Sequence, residues 1–191
     1  NRPMLIAILG ANGFLGRVFC REMLERGHQV RAILRKQDEN FISDFPAVDP
    51  IIAGDICYFN QWQKCFDDVS CIVHFAGSPS NISQPIDGYS PSDYYIKYQI
   101  GNERLLLGAI AAKVRRFIFI SSIKVNGEYT KNDYVKFSKQ PEPPHAFSAS
   151  MKPNPATPYS KSKAMLETTL SNISKNTGTE LVIVRAPMVY A

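Results

Sequence analysis

Residues 4–16 read Met-Leu-Ile-Ala-Ile-Leu-Gly-Ala-Asn-Gly-Phe-Leu-Gly, a short apolar run that enters a turn punctuated by glycines and leaves it in a helical pattern. The run is too short for a helix and has the unbroken apolar character of a parallel strand buried on both faces. A strand, a glycine loop and a helix in that order make an anion-binding unit, because the first N–H groups of the helix and its positive dipole end point at the loop. In this reading Gly10 makes the tight turn, Gly13 lets the backbone approach a pyrophosphate and Gly16 lets the helix pack on the strand. Asn12, Phe14 and Leu15 of the same stretch are expected to bind the cofactor with them. The spacing is G-x-x-G-x-x-G rather than G-x-G-x-x-G, and a bare structural turn between strand and helix is the competing reading of the loop alone.

The rest of the chain is organised to match. Its 191 residues suffice for one domain with a core of its own. A charge of +5, with Lys and Arg scattered along the chain, suits a small anionic ligand better than a nucleic-acid surface. Cys20, Cys57, Cys65 and Cys71 form no C-x-x-C pair and sit in or beside apolar segments. They read as buried reduced thiols of a cytoplasmic protein, with no metal centre expected. No apolar run approaches the roughly 20 residues that span a bilayer, and no signal peptide is visible, so no membrane partner is expected.

Helical spacing from Val18 to Arg26 stops at Gly27, a good residue to follow a helix end. His28 reads as a turn residue, and 29–34 as the second strand. Shorter strands are expected over 50–55 and 71–76, with a short helix over 60–68 between them. His74 lies inside an apolar strand and reads as a hydrogen-bonded core residue rather than a catalytic one. The Pro- and Ser-rich stretch 78–92 is a loop. A long helix follows over 94–112, with Ile100, Leu105, Leu106, Leu107 and Ile110 as its apolar set, and then a fifth strand over 116–121. Residues 128–158 are polar and Pro-rich and read as an insertion over the mouth of the site. Pro158 opens a helix to about Lys175, and a sixth strand covers 180–185. Alternating strands and helices specify a Rossmann-like, doubly wound parallel sheet with helices on both faces, one domain over 1–191.

Ligands in such sheets bind beyond the carboxyl ends of the strands, which brings Asp55, Ala76 and Gly77 to the cofactor side. The end of the second strand reads the adenosine ribose: an acid there accepts the 2′-hydroxyl of NAD, and an arginine nearby accommodates the 2′-phosphate of NADP. This chain has Leu34, Arg35 and Lys36, which favours NADP and leaves NAD possible, a solvated charge pair being the alternative. Tyr159 and Lys163 stand four residues apart on one helical face, where an ammonium can stabilise a phenolate and fit it for general acid/base work. Alone, Y-x-x-x-K also occurs as a surface pair.

Taken together, G-x-x-G-x-x-G, Asp55-Ile56, the run 74–77 (His-Phe-Ala-Gly), the run 121–128 (Ser-Ser-Ile-Lys-Val-Asn-Gly-Glu), Tyr159 to Lys163 and the run 185–190 (Arg-Ala-Pro-Met-Val-Tyr) resemble the extended short-chain dehydrogenase/reductase family over essentially the whole chain. The run 121–128 looks most like members acting on nucleotide-linked sugars as 4-epimerases or 4-ketoreductases. The resemblance implies that Tyr159 is the acid/base, that Lys163 binds the nicotinamide ribose and lowers the tyrosine pKa, and that Ser122 hydrogen-bonds the reacting oxygen. It places Asp55 and Ile56 at the adenine, Phe75, Ala76, Gly77, Gln99 and Ser121 along the cofactor, and Pro187 and Val189 near the nicotinamide. It also implies a nucleotide sugar as small-molecule partner and a homodimer through the two long helices. Ile123 and Lys124 stand where sugar 4,6-dehydratases of the family carry an acidic pair, so that reaction is not expected. Lys124 reads equally as a solvated charge or a ligand for the substrate's phosphates.

The chain departs from the family pattern at Gln99, where asparagine is usual, at Gly77 and at Ala191. Members usually continue for roughly another hundred residues that form a substrate region, on the scale of an ordinary domain. The expectation is therefore a cofactor domain that binds NADP and turns over little by itself. A non-catalytic cofactor sensor on the same fold is the rival reading, since fold does not fix function.

Overall fold

Ile6 and Ile8 of the first strand are buried in one apolar cluster and Ala7 and Leu9 in another, so the strand has cores on both its faces. The computed structural model describes residues 2–77, 90–128 and 146–187. Within them run β1 (Leu5–Leu9), α1 (Phe14–Glu25), β2 (Gln29–Leu34), α2 (Glu39–Asp44), β3 (Asp49–Ile52), α3 (Trp62–Cys65), β4 (Cys71–His74), α4 (Pro91–Ala111), β5 (Arg116–Ser122), a single 3₁₀ turn (Ile123–Val125), α5 (Pro158–Ser174) and β6 (Glu180–Ala186). The six strands form one sheet in the order β3-β2-β1-β4-β5-β6, and every pairing is parallel. The order reverses between β1 and β4, which opens a crevice at their carboxyl ends, where ligands of such sheets bind.

One face of the sheet, with Ala7, Leu9, Ile72, Phe117 and Phe119, packs on α3, α4 and α5 through Trp62, Leu105, Leu106, Leu166 and Leu170. The other face, with Ile6, Ile8, Val30, Ala32 and Leu34, packs on α1 and α2 through Cys20 and Phe41. The α1 terminus is closed by Gly27, at φ +79°: Gly27 N–H donates to the Leu24 carbonyl and His28 N–H to that of Met23. This is the paired bonding that a glycine after a helix permits.

Several element ends differ from the sequence reading for definite reasons. β4 stops at His74 because its partner β1 ends at Leu9, the residue opposite, and Gly10 turns away. β3 stops at Ile52, opposite the last residue of β2, and Gly54 at φ +75° makes the turn. α3 is one turn only, closed before Asp68, which adopts φ +62°. α2 was not legible in the apolar pattern; it is started by Asp38, whose carboxylate accepts the Phe41 N–H at 2.9 Å. Ile100 and Leu107 of α4 are exposed, on the side away from buried Tyr98, Leu105 and Ala109. With Ile96 and Met165 they leave apolar side chains on the outer surfaces of the two longest helices. In β5, Phe117 and Phe119 are buried while Ile118 and Ile120 are only half-buried, so its two faces are not equally covered.

Cys20, Cys57 and Cys65 are buried free thiols, whereas Cys71 is half-buried. Burial pushes the Cys20 thiol up to about 11 and the Cys57 thiol to about 12, which leaves both protonated at neutral pH. His74 is fully buried, and its Nε2 lies 2.7 Å from Asn102 Oδ1. Burial lowers it to about 3, so it is a neutral core residue. Among the described residues no helix is long and apolar enough to cross a membrane.

Candidate active site

At the loop after β1, the backbone geometry demands glycine at two places. Gly10 has φ +73°, and a Cβ there would lie 2.9 Å from the Ala76 amide nitrogen. A Cβ on Gly16 would lie 2.1 Å from the Gly10 carbonyl oxygen, which is closer than any real contact. Helix geometry leaves the first N–H groups of α1 without intrahelical acceptors, and Gly13 at the N-cap provides no side-chain cap. No acidic residue stands in the first turn to oppose an anion. A cleft opens beside this loop, lined by Gly10, Asn12, Leu34, Arg35, Asp55, Ile56, Ala76 and Gly77 among others. A dinucleotide fits this arrangement: the loop and the start of α1 would hold its phosphates and the cleft its adenosine end.

Around the cleft the side chains hold one another. Arg35 pairs with Asp55 at 2.9 Å across its mouth, and Asp55 accepts the Cys57 N–H at 2.8 Å. Asn12 donates to Asp38 at 2.9 Å, which with the α2 N-terminus keeps that carboxyl below its ordinary range. Tyr98 donates to the Ala76 carbonyl at 2.9 Å, fixing the end of β4 from α4. Neither Asp38 nor Tyr98 was singled out by the sequence reading. Lys36 is exposed and is not among the residues that line the cleft.

The second half of the site is built at the start of α5. Thr157 accepts the Ser160 N–H at 3.2 Å and Ser160 Oγ accepts the Thr157 N–H at 3.0 Å, a reciprocal cap with Pro158 in the first turn. Tyr159 is thereby fixed in that turn, with Lys163 one turn on. Lys163 is 3% exposed. Its Nζ donates to the Ile120 carbonyl at 3.3 Å and lies 4.8 Å from the Phe119 ring centroid and 6.0 Å from that of Tyr159. A Cβ on Gly77 would come within 4.0 Å of the same Nζ, so Lys163 reaches from α5 to the crevice. Burial lowers its pKa to about 8, against a raising influence of Glu167. Ser122, the last residue of β5, accepts the Lys124 N–H at 3.3 Å, and Lys124 Nζ lies 3.6 Å from Glu128.

These positions also give several of the candidate residues partners within the protein. Burial raises the Tyr159 phenol above its ordinary value, and the group that pulls it back is the Ser122 hydroxyl rather than the ammonium expected to do so. Ser121 is 5% exposed and its hydroxyl donates to Glu167 at 2.6 Å. Gln99 is buried, and its Nε2 donates to the Ser162 carbonyl at 2.9 Å, which makes it a tie between α4 and α5. The Phe75 ring packs on Phe19 with centroids 5.4 Å apart, and the backbone of this residue borders the glycine loop. Pro187 is exposed at the end of β6, and Val189 lies outside the described residues. Glu167 was missed altogether. Its signal was present, since Tyr159, Lys163 and Glu167 recur every fourth residue on one helical face.

UDP-glucose 4-epimerase of Vibrio cholerae is 28% identical over 192 residues, which is 98% of this chain and 52% of that protein. Photosystem II assembly factor Ycf39 of Cyanophora paradoxa is 29% identical over 119 residues, 62% of this chain and 34% of that protein. The crystal structure of UDP-glucuronic acid 4-epimerase from Bacillus cereus in complex with NAD superposes with a TM-score of 0.74 at 23% identity, covering 98% of this chain and 58% of that one. The chain thus spans about half the length of each of these two epimerases. The family model described as NAD dependent epimerase/dehydratase matches residues 6–191. With the glycine loop, the strand order and the Y-x-x-x-K turn in hand, the chain belongs to that family, the epimerase-type branch of the extended short-chain dehydrogenases/reductases.

Proposed function

We propose that this chain carries the cofactor and acid/base half of a nicotinamide-dependent oxidoreductase or epimerase acting at a hydroxyl or keto carbon of a nucleotide-linked sugar. The observation that supports this reading is the meeting of Ser122, Tyr159 and Lys163 at the carboxyl edge of β5, next to Gly77 and the glycine loop. The nicotinamide, when bound, supplies hydride transfer. The protein's part is proton handling. Tyr159 exchanges a proton with the sugar hydroxyl, Ser122 holds the same oxygen by a hydrogen bond, and the Lys163 ammonium favours the phenolate. With its pKa near 8, Lys163 is charged at neutral pH, as that role requires. Self-association through the outer surfaces of α4 and α5, where Ile96, Ile100, Leu107 and Met165 are exposed, belongs to the same proposal.

The test is an assay of the full-length protein with each cofactor and a panel of nucleotide sugars, following reduced-nicotinamide absorbance and the 4-epimer by chromatography. Change in either readout is expected for at least one sugar. Cofactor binding with no change in either readout for any sugar would favour a non-catalytic binding module, the reading to which the assembly-factor relative lends support.

We further propose that NADP is preferred. Leu34 ends β2 without a carboxylate, and Asp38, the next acid in the chain, is bonded to Asn12 and to the Phe41 amide. Arg35 stands at the mouth of the cleft, where a 2′-phosphate would share it with Asp55. A charge-assisted contact of this kind is worth about 1.5–3 kcal/mol, or about tenfold to a hundredfold in affinity. Calorimetry should find NADP tighter by that factor and Arg35→Ala should erase the difference; equal affinities in the wild-type protein would end this reading.

A further inference from the structure

Glu167 is a buried carboxylate on the third turn of α5, 6% exposed, and it serves three elements at once. Its two oxygens share the single Arg185 Nε–H, at 3.1 Å each, and one of them accepts a bond from Arg185 Nη2 at 2.7 Å. Glu167 also accepts the Ser121 hydroxyl at 2.6 Å. Ser121 and Arg185 are register partners across β5 and β6, and the next pair along is Ser122 with Ala186. The other side of the guanidinium reaches the Asn126 side chain at 3.3 Å and the Ala149 carbonyl at 3.5 Å. Asn126 in turn donates to the Ser148 carbonyl at 3.1 Å. The ends of both strands, the turn after β5 and the segment that leads back to α5 are therefore tied to one carboxylate.

We infer that Glu167 is a positioning residue: from α5 it grips Ser121 and Arg185, and so fixes the helix that carries Tyr159 and Lys163 against the strand ends that carry Ser122 and Pro187. This rests on the acid/base role proposed for Tyr159. A buried carboxylate needs such partners, and a guanidinium that meets it through two nitrogens restrains direction as well as distance. Placement matters because an error of about 1 Å in a reacting group can lower a rate by about a hundredfold.

The arrangement also carries charge. Glu167 favours the charged form of Lys163. Among the described residues, the titratable groups that face this pair are Tyr159 on the same helix, His74 on β4, Tyr95 on α4, which acts on Tyr159, and Arg185 on β6. His74 stays neutral, and Arg185 stays charged throughout the working range. Removing the carboxylate charge therefore lowers the pH at which Lys163 gives up its proton, and the alkaline limb of the pH–rate profile moves down with it.

The experiment uses the full-length enzyme with its best nucleotide sugar, and compares Glu167→Gln with Arg185→Lys, which keeps a cation at the site should the first variant fold poorly. Both should lower kcat by about tenfold to a hundredfold while KM and the cofactor Kd stay near wild type. Glu167→Gln should also move the alkaline limb to lower pH, which a purely structural bond would not do. Unchanged kcat and an unmoved limb, or cofactor affinity lost in step with kcat in both variants, would each overturn the inference. Tyr159→Phe in the same series separates the two claims. Full turnover there removes the acid/base reading itself, whereas loss there beside an unimpaired Glu167→Gln removes only the positioning role.

Discussion

Tyr159→Phe is expected to leave cofactor binding unchanged and to lower turnover of the full-length protein by about 10²–10⁴-fold, the range for removal of a positioned proton donor or acceptor. The substitution deletes one hydroxyl and keeps the ring. The glycine loop, the start of α1 and the adenosine cleft, which would hold the cofactor, lie on other elements. The half-buried phenol is raised by its surroundings, with only the Ser122 hydroxyl acting against burial. A tyrosine in that state is a poor base, so the ammonium of Lys163 and the positive end of α5 have to supply the difference when the site works. Calorimetry for the cofactor and initial rates for the sugar, measured side by side, check the result. Near wild-type turnover would take Tyr159 out of the mechanism, and parallel loss of binding would recast it as part of the cofactor site.

Most of the fold could be read from the chain because its signals were local. The apolar run before Gly10, the stop at Gly27 and the opening of α5 at Pro158 each rest on backbone constraints that act within a few residues. Strand lengths were less legible, because β3 and β4 stop where their neighbours β2 and β1 stop, at Leu34 and Leu9. The site divides in the same way. Gly10, Gly16, Ser122, Tyr159 and Lys163 stand in recognisable spacings and converge. The buried ties do not announce themselves: Glu167 to Arg185 spans 18 residues and Ser121 to Glu167 spans 46, and only folding brings them together. The side chains of Gln99 and Ser121, which the family pattern places along the cofactor, also bond between α4 and α5 and between β5 and α5. A motif fixes where the backbone goes; what a polar side chain bonds to depends on neighbours that the motif does not contain.

Lys163→Met is expected to stabilise the fold at pH 7 while it abolishes turnover. Lys163 is 3% exposed, and burial takes its pKa from 10.5 to about 8. A displacement of that size corresponds to a penalty on the order of 3 kcal/mol for keeping the ammonium charged inside the folded protein. Methionine fills much of the same space without a charge, and Glu167 keeps Arg185 and Ser121 as partners. Loss of the bond to the Ile120 carbonyl offsets part of the gain, which leaves about 1–3 kcal/mol. The pH dependence identifies the cause. Below pH 8 both folded and unfolded chains carry the proton and the penalty is complete; between about 8 and 10.5 the unfolded chain holds one proton more than the folded one, so wild-type stability gains as pH rises. The variant lacks this contribution. Denaturant midpoints should therefore differ most at pH 7, with the variant higher, and draw together towards pH 10. A variant less stable at pH 7 would mean that the contacts of the ammonium outweigh its burial. The expected result would mark Lys163 as a residue held against stability for the sake of chemistry, the pattern of a site in which activity and stability conflict.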